Sequence, residues 1–227
     1  MARDGWMAMR GRIRWWAAGA TIAVLVLGAR AGWSQRSVEE AIFPISEYKT
    51  QDSRALAQVY LGELQALYQS VRRCTPEVDF HQHGLGFRRP LGIEGLPPYL
   101  ATWVWIPNEP ALPSDGIGAR ATEAFRRYAP KLLPQLVARD VIHADPRIGG
   151  YGLVLTWVKP PASDPPIGET LVVFLPKSAV TPFVSGTATF TELLAQARIR
   201  AFDGQTEVKL TGLAIPDLEV PVRPPPC

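Results

Sequence analysis

Apolar residues recur at steps of three and four positions between Thr50 and Cys74, which places them on one face of an α-helix. They are Leu56, Tyr60, Leu64, Leu67 and Val71. Thr50 or Asp52 can cap the start of this helix. Thr75-Pro76 ends it, because proline lacks a backbone donor and restricts the residue before it.

A second apolar stripe with helical spacing lies between Ile117 and Arg139. Its members are Ala121, Ala124, Phe125, Tyr128, Leu132, Leu133, Leu136 and Val137. Pro130 and Pro134 fall inside the stripe, so the pattern predicts a helix that is kinked or split. A third, short helix is predicted to run to Ala197, with Thr189 or Thr191 as the residue that caps its start.

Alternating stretches and stretches rich in β-branched or aromatic residues predict the strands. They cover residues 77–83, 99–106, 151–158, 169–175, 198–202 and 206–210. Residues 84–98 contain four glycines and three prolines, which predicts a loop. The strands on either side of the proline-rich segment 159–168 are expected to pair antiparallel, and Asp203-Gly204 favours a hairpin turn.

Strands and helices in this mixed order predict one α+β domain over residues 50–215, with a mixed, largely antiparallel sheet and two to three helices packed on it. The sequence lacks the regular strand–helix alternation and the glycine fingerprint of a doubly wound nucleotide-binding fold. A lead-in segment, residues 32–49, precedes the domain. A proline-rich extended tail, residues 216–227, follows it.

The first 31 residues have the pattern of an export signal: a basic lead-in of Arg10, Arg12 and Arg14, an apolar run from Trp15 to Leu27, and the small residues Ala29 and Ala31. The run is shorter than the ~20 residues that a membrane-spanning helix needs. We expect export to the periplasm or outside the cell, followed by cleavage. The alternative is an uncleaved anchor that tethers a scaffold protein to the membrane, and N-terminal sequencing of the exported chain distinguishes the two.

Charge excludes one class of partner. The chain has 24 Lys and Arg and 21 Asp and Glu, but the first 31 residues hold five of the arginines and a single aspartate. The remaining chain has 19 basic and 20 acidic residues. A nucleic-acid partner requires a basic surplus, so we expect a protein or small-molecule partner instead, and membrane contact only through an uncleaved leader.

The two cysteines, Cys74 and Cys227, can form a disulfide outside the cytoplasm. Such a bond would fix the tail to the end of the first helix. The alternative is a buried Cys74 and a free Cys227 in a frayed tail.

All three histidines belong to a candidate metal site. In a strand, Asp79, His81 and His83 would share one face, and His143 and Asp145 show the same spacing further along the chain. If the two segments met, these side chains could bind a divalent metal such as zinc, which would activate water for hydrolysis. The alternative is a polar strand edge and an ordinary loop, in which case no cofactor is expected.

A candidate binding surface lies nearby. Trp103 and Trp105 share a strand face, with Trp157 on a strand that can be adjacent, and indoles offer rigid contact area to a ligand. The alternative is that these tryptophans are core residues. Arg88 and Arg89 lie in the Gly/Pro-rich segment 84–98, where they could bind an anion.

No serine lies in a nucleophile elbow. The sequence therefore favours an exported binding or assembly module over an enzyme, with residues 84–98 and the adjoining His81/His83 strand as its surface. A metal-assisted hydrolase is the alternative.

Overall fold

The computed structural model describes residues 36–90, 95–107, 111–160, 166–210, 212–213 and 215. The predicted leader, the tail and Cys227 lie outside these residues, so cleavage and the Cys74–Cys227 bond stay predictions. The helices are α1 (Val38–Ala41), α2 (Gln51–Val59), α3 (Leu61–Cys74), α4 (Ile117–Val137), α5 (Asp140–Ala144), α6 (Lys177–Val184) and α7 (Phe190–Ala195). The strands are β1 (Asp79–Arg88), β2 (Tyr99–Trp105), β3 (Gly150–Val158), β4 (Gly168–Pro176), β5 (Arg198–Asp203) and β6 (Thr206–Val208). Among the described helices, none is both long and apolar enough to span a bilayer.

The six strands form a single sheet in the order β1-β2-β3-β4-β5-β6. β2 and β3 run parallel and are connected through α4, whereas every other neighbouring pair is antiparallel. This arrangement confirms the predicted α+β class with its largely antiparallel sheet. The described helices outnumber the two to three predicted, because α1, α5 and α6 are too short to show a clear apolar period and the predicted first helix is two helices. α7 is the predicted third helix, and Thr189 caps it.

The main core lies between one face of the sheet and the helices. Leu100 and Val104 of β2 and Leu153 and Leu155 of β3 are fully buried there, together with the apolar stripe of α4. α4 is one uninterrupted helix despite Pro130 and Pro134. Of the two predicted alternatives, a kinked or a split helix, the split is therefore wrong; the burial of the flanking residues outweighs the backbone hydrogen bonds that the prolines remove.

The predicted first helix is two helices that meet at Tyr60. Thr50 caps α2 by accepting a hydrogen bond from Ser53 N, as the sequence indicated. Tyr60 has φ −104° and ψ 18°, outside the helical range. Its hydroxyl donates to Asp145 Oδ2 over 2.8 Å. Because Asp145 directly follows α5, this bond attaches the junction between α2 and α3 to the end of α5.

β1 is longer than predicted, because residues 84–88 belong to the strand and not to a loop. A Cβ on Gly84 would overlap Trp103 O, and a Cβ on Gly86 would overlap the Tyr48 hydroxyl. These glycines therefore permit close approach of neighbouring backbone and side chain and do not mark a turn. The β3–β4 and β5–β6 hairpins form where the sequence predicted them. Gly204, in the turn between β5 and β6, has the positive φ of a tight turn.

Candidate functional site

A groove of about 530 Å³ lies on the sheet face opposite the main core. Side chains alternate along β2, so Leu100 and Val104 point into the core while Tyr99 and Trp103 belong to the other face. Tyr99, Val154, Val172 and Phe174 form a second, smaller apolar cluster there. The volume is within the range of about 300–1,000 Å³ that is typical of small-molecule sites.

The floor of the groove is a row of register partners across three strands. Trp103 of β2 pairs with Val154 of β3, and Val154 pairs with Val172 of β4. Beside this row, Thr170 of β4 pairs with Phe202 of β5. Because partners in register point to the same side of a sheet, these five side chains form a continuous, mainly apolar surface.

Two glycines of β3 precede Val154 on the same face of the sheet. Gly150 pairs with Tyr99, and Gly152 lies between Ala101 and Phe174. With no side chain on β3 at these positions, the rings of Tyr99 and Phe174 meet edge to face across the strand, 5.5 Å between centroids. We call Gly150 and Gly152 the glycine gap.

One rim of the groove is formed by residues 42–50, which we call the strap. Phe43 N donates to Leu85 O over 2.8 Å, and Phe87 N donates to the Tyr48 hydroxyl over 3.0 Å. The rings of Phe43 and Tyr48 pack edge to face. These bonds attach the strap to β1, so its two aromatic rings line the groove beside that strand.

The same side of the groove carries its cations, Lys49, Arg88 and Arg89. Arg89 Nη2 pairs with Asp52 Oδ2 at 2.7 Å. Arg88 Nη2 donates to His83 O over 2.7 Å, and its guanidinium lies over the Phe43 ring at 4.8 Å. Within the described residues Arg88 has no carboxylate partner, and its Nε is buried without a hydrogen bond. Burial lowers the pKa of Arg88.

The predicted tryptophan pair adjoins this groove. Trp103 and Trp105 share the groove-side face and are half-buried. His81 stacks on Trp103, with ring centroids 3.7 Å apart, and Trp103 Nε1 donates to Thr156 Oγ1. Trp157 lies on the opposite face, fully buried. Of the three tryptophans, Trp103 therefore lines the groove, and Trp157 is a core residue.

The structure does not bring the predicted metal ligands together. A bulge between Phe80 and Leu85 interrupts the strand, and His83 has a φ of +56°, so the simple alternation expected for the first three ligands fails. His81 stacks on Trp103, and His83 lies 3.6 Å from Glu47.

The second pair of predicted ligands has other partners. His143 Nδ1 and the Tyr151 hydroxyl are 2.6 Å apart, and Asp145 pairs with Arg147, which holds the pKa of the Asp145 carboxyl well below its usual range. In the described part of the chain, no three His, Cys, Asp or Glu side chains form a group that could hold a metal ion. The metal-assisted hydrolase thus lacks an assembled ligand set there.

The histidine environments predict a pH dependence of stability. Burial lowers the pKa of His81 and of His143 in the fold; for His81 it outweighs the hydrogen bond to Gln82 O, which acts in the opposite direction, and the charges of Arg36 and Arg88 lower the pKa further. Just below pH 6.5 the unfolded chain therefore binds more protons than the folded chain, and the free energy of unfolding falls as the pH drops. We expect the free energy of unfolding, measured with urea, to decline as the pH is lowered from 7.5 to 5.5.

His81→Phe keeps an aromatic ring against Trp103 and removes the titrating group. This variant should show a shallower decline than the wild type. Glu123, whose pKa Arg126 lowers to about 2, titrates below this window and does not obscure it. An unchanged pH slope in His81→Phe would contradict the assignment.

The sequence indicated part of the groove and missed the rest. Arg88, Arg89 and Trp103 were candidates, whereas Phe43, Tyr48, Thr170 and the apolar residues of β3 to β5 were not. The signal that could have found the floor is in β3 and β4. Each contains a run of consecutive apolar residues, 153–155 in β3 and 171–175 in β4, which is more than a strand with one water-facing side requires.

Comparisons with models of protein families, with curated proteins and with solved structures found no match. The shape and chemistry of the groove are therefore the basis on which a function can be proposed. Its apolar floor, aromatic rim and cationic side are the properties that a ligand would have to complement.

Proposed function

We propose that this protein is an exported binding module that holds an apolar small molecule in the groove. The observation that carries the proposal is the groove itself, which has a mainly apolar lining and a volume of about 530 Å³. Small-molecule sites combine such a lining with a few polar groups that orient the ligand. The leader predicted from the sequence supports the export.

The construction of the floor supports binding of a ligand with a rigid or extended apolar body. Trp103, Val154 and Val172 are fixed by sheet register, and Trp103 is held further by its hydrogen bond to Thr156. A preformed surface loses little conformational freedom when a ligand binds, which favours affinity. The strap adds the rings of Phe43 and Tyr48 at the rim.

A neutral fluorescent probe, N-phenyl-1-naphthylamine, tests this proposal. We expect the wild-type protein to bind the probe and Thr170→Trp to bind it about tenfold or more weakly, because the indole fills space above the floor. Thr170 is half-buried and lines the groove. Probe emission and isothermal titration calorimetry measure the affinity.

The matched control is Gln58→Trp, which places an indole on the exposed side of α2, away from the groove lining. It should bind the probe as the wild type does. Absence of binding to the wild type, or equal binding to Thr170→Trp and the control, would overturn the proposed function.

A further inference from the structure

This inference rests on the proposed function and names the class of ligand. We infer that the occupant is an amphiphile with a single carboxylate, whose acid group pairs with Arg88 and whose apolar body lies across Trp103 and Val172. The two sides of the groove differ in charge, from β1 to β5. Its β1 side carries Lys49 and Arg88, and its β4–β5 side carries Phe174 and Phe202. Arg200 of β5 lies over the Phe202 ring, but its charge is paired with Glu207.

The balance of charge favours one negative charge on the ligand. On the β1 side, Asp52 neutralises Arg89, and among the described residues that line the groove Glu47 is the acidic one. Counted with Lys49 and Arg88, these groups leave one positive charge. A carboxylate supplies one negative charge at neutral pH, whereas a phosphate monoester carries about −1.5 to −2.

The state of Arg88 identifies the position of the acid group. Its guanidinium is oriented by the bond to His83 O and by the Phe43 ring, yet its Nε is buried without an acceptor in the described chain. The Nε of Arg89 also lacks an acceptor there, but the Arg89 guanidinium already pairs with Asp52. A buried donor that lacks a partner is unfavourable. The planar donors of arginine match two carboxylate oxygens, so a carboxylate in the groove can pair with the guanidinium of Arg88, which has no carboxylate partner in the described chain.

The apolar part of the ligand would extend from Arg88 toward β5. From β1 to β5 the sheet has four strand spacings, or about 19 Å at the usual separation of neighbouring strands. The surface along this path is Trp103, Val154, Val172 and Phe202. A linear alkyl chain fits such a path, with its acid group at the β1 side.

The test is displacement of N-phenyl-1-naphthylamine by dodecanoate, its neutral methyl ester, and dodecyl phosphate, all below their micelle-forming concentrations. For the wild type we expect dodecanoate to bind about tenfold or more tightly than the ester, as a charge-assisted hydrogen bond predicts. Arg88→Met should lose this preference. Arg73→Met, which removes an exposed arginine of α3, should keep it.

The wild-type comparison needs no variant, so the inference stays testable even if Arg88→Met does not fold. Equal affinity for acid and ester, tighter binding of the phosphate than of dodecanoate, or the same preference in a folded Arg88→Met would overturn the inference. In each of these cases the probe still binds, so the proposed function stands. Failure of the wild type to bind the probe would overturn the proposed function itself.

Discussion

Replacing Glu169 with alanine is expected to lower the free energy of unfolding by about 3–5 kcal/mol. The Glu169 carboxylate is buried and accepts hydrogen bonds from Arg120 Nε and Nη2, each at 2.6 Å, and from Trp157 Nε1 at 2.7 Å. Its side chain is 1% exposed and that of Arg120 is 5% exposed. Truncation leaves the guanidinium buried without its counter-charge, and urea unfolding monitored by circular dichroism measures the cost.

Glu123→Ala is the matched control. Glu123 pairs with Arg126 and Arg127 on the outer side of α4, where solvent screens the charges, so we expect a loss of about 1 kcal/mol or less. The double variant Arg120→Met/Glu169→Leu removes both buried charges together and should recover most of the stability lost in Glu169→Ala. Equal losses in the two single variants would show that burial does not dominate the Arg120–Glu169 pair.

Gly150→Ala is expected to cost about 3 kcal/mol, at the upper end of the usual range for overpacking. A Cβ at this position would overlap Leu175 O of the neighbouring strand and would lie 2.7 Å from Tyr99 Cε1. The obstructing atom on β4 is backbone, so the clash cannot be relieved by rotating a side chain. Thermal and urea unfolding give the magnitude.

Gly62→Ala separates this steric effect from the general effect of replacing glycine. Gly62 lies in α3, and a Cβ there has nothing within 4 Å. Alanine is the better helix former, so this variant should gain about 1 kcal/mol of stability. If Gly150→Ala were as stable as the wild type, the glycine gap would not be required by the packing of β2, β3 and β4.

Much of the fold could be predicted because its signals are local. β2, the pair β3 and β4, and the β5–β6 hairpin each show their pattern within a few consecutive residues. The errors arose where a distant contact decides the structure. Gly84 and Gly86 suggest a loop when only their sequence neighbours are considered, yet they are strand residues that admit Trp103 O and the Tyr48 hydroxyl.

The candidate site was less predictable for the same reason. The groove combines the strap, β1, β2, β3, β4 and β5, and no short segment contains enough of it to form a motif. Single residues such as Arg88 and Trp103 could be selected by their chemistry, but their shared location depends on strand order and register. The spacing of Asp79, His81 and His83 was misleading, because it predicted that their side chains share one strand face. The bulge between Phe80 and Leu85 in β1 breaks that alternation.

The order of the strands also determines how the chain can reach its folded state. Each strand pairs with the next strand in the sequence, so most of the sheet can assemble by short-range hairpin formation. The parallel pairing of β2 with β3 is different, because it closes a long connection that includes α4 and α5. We expect this crossover to set the folding rate, with formation of α4 against the nascent β3–β4 hairpin as the slow step.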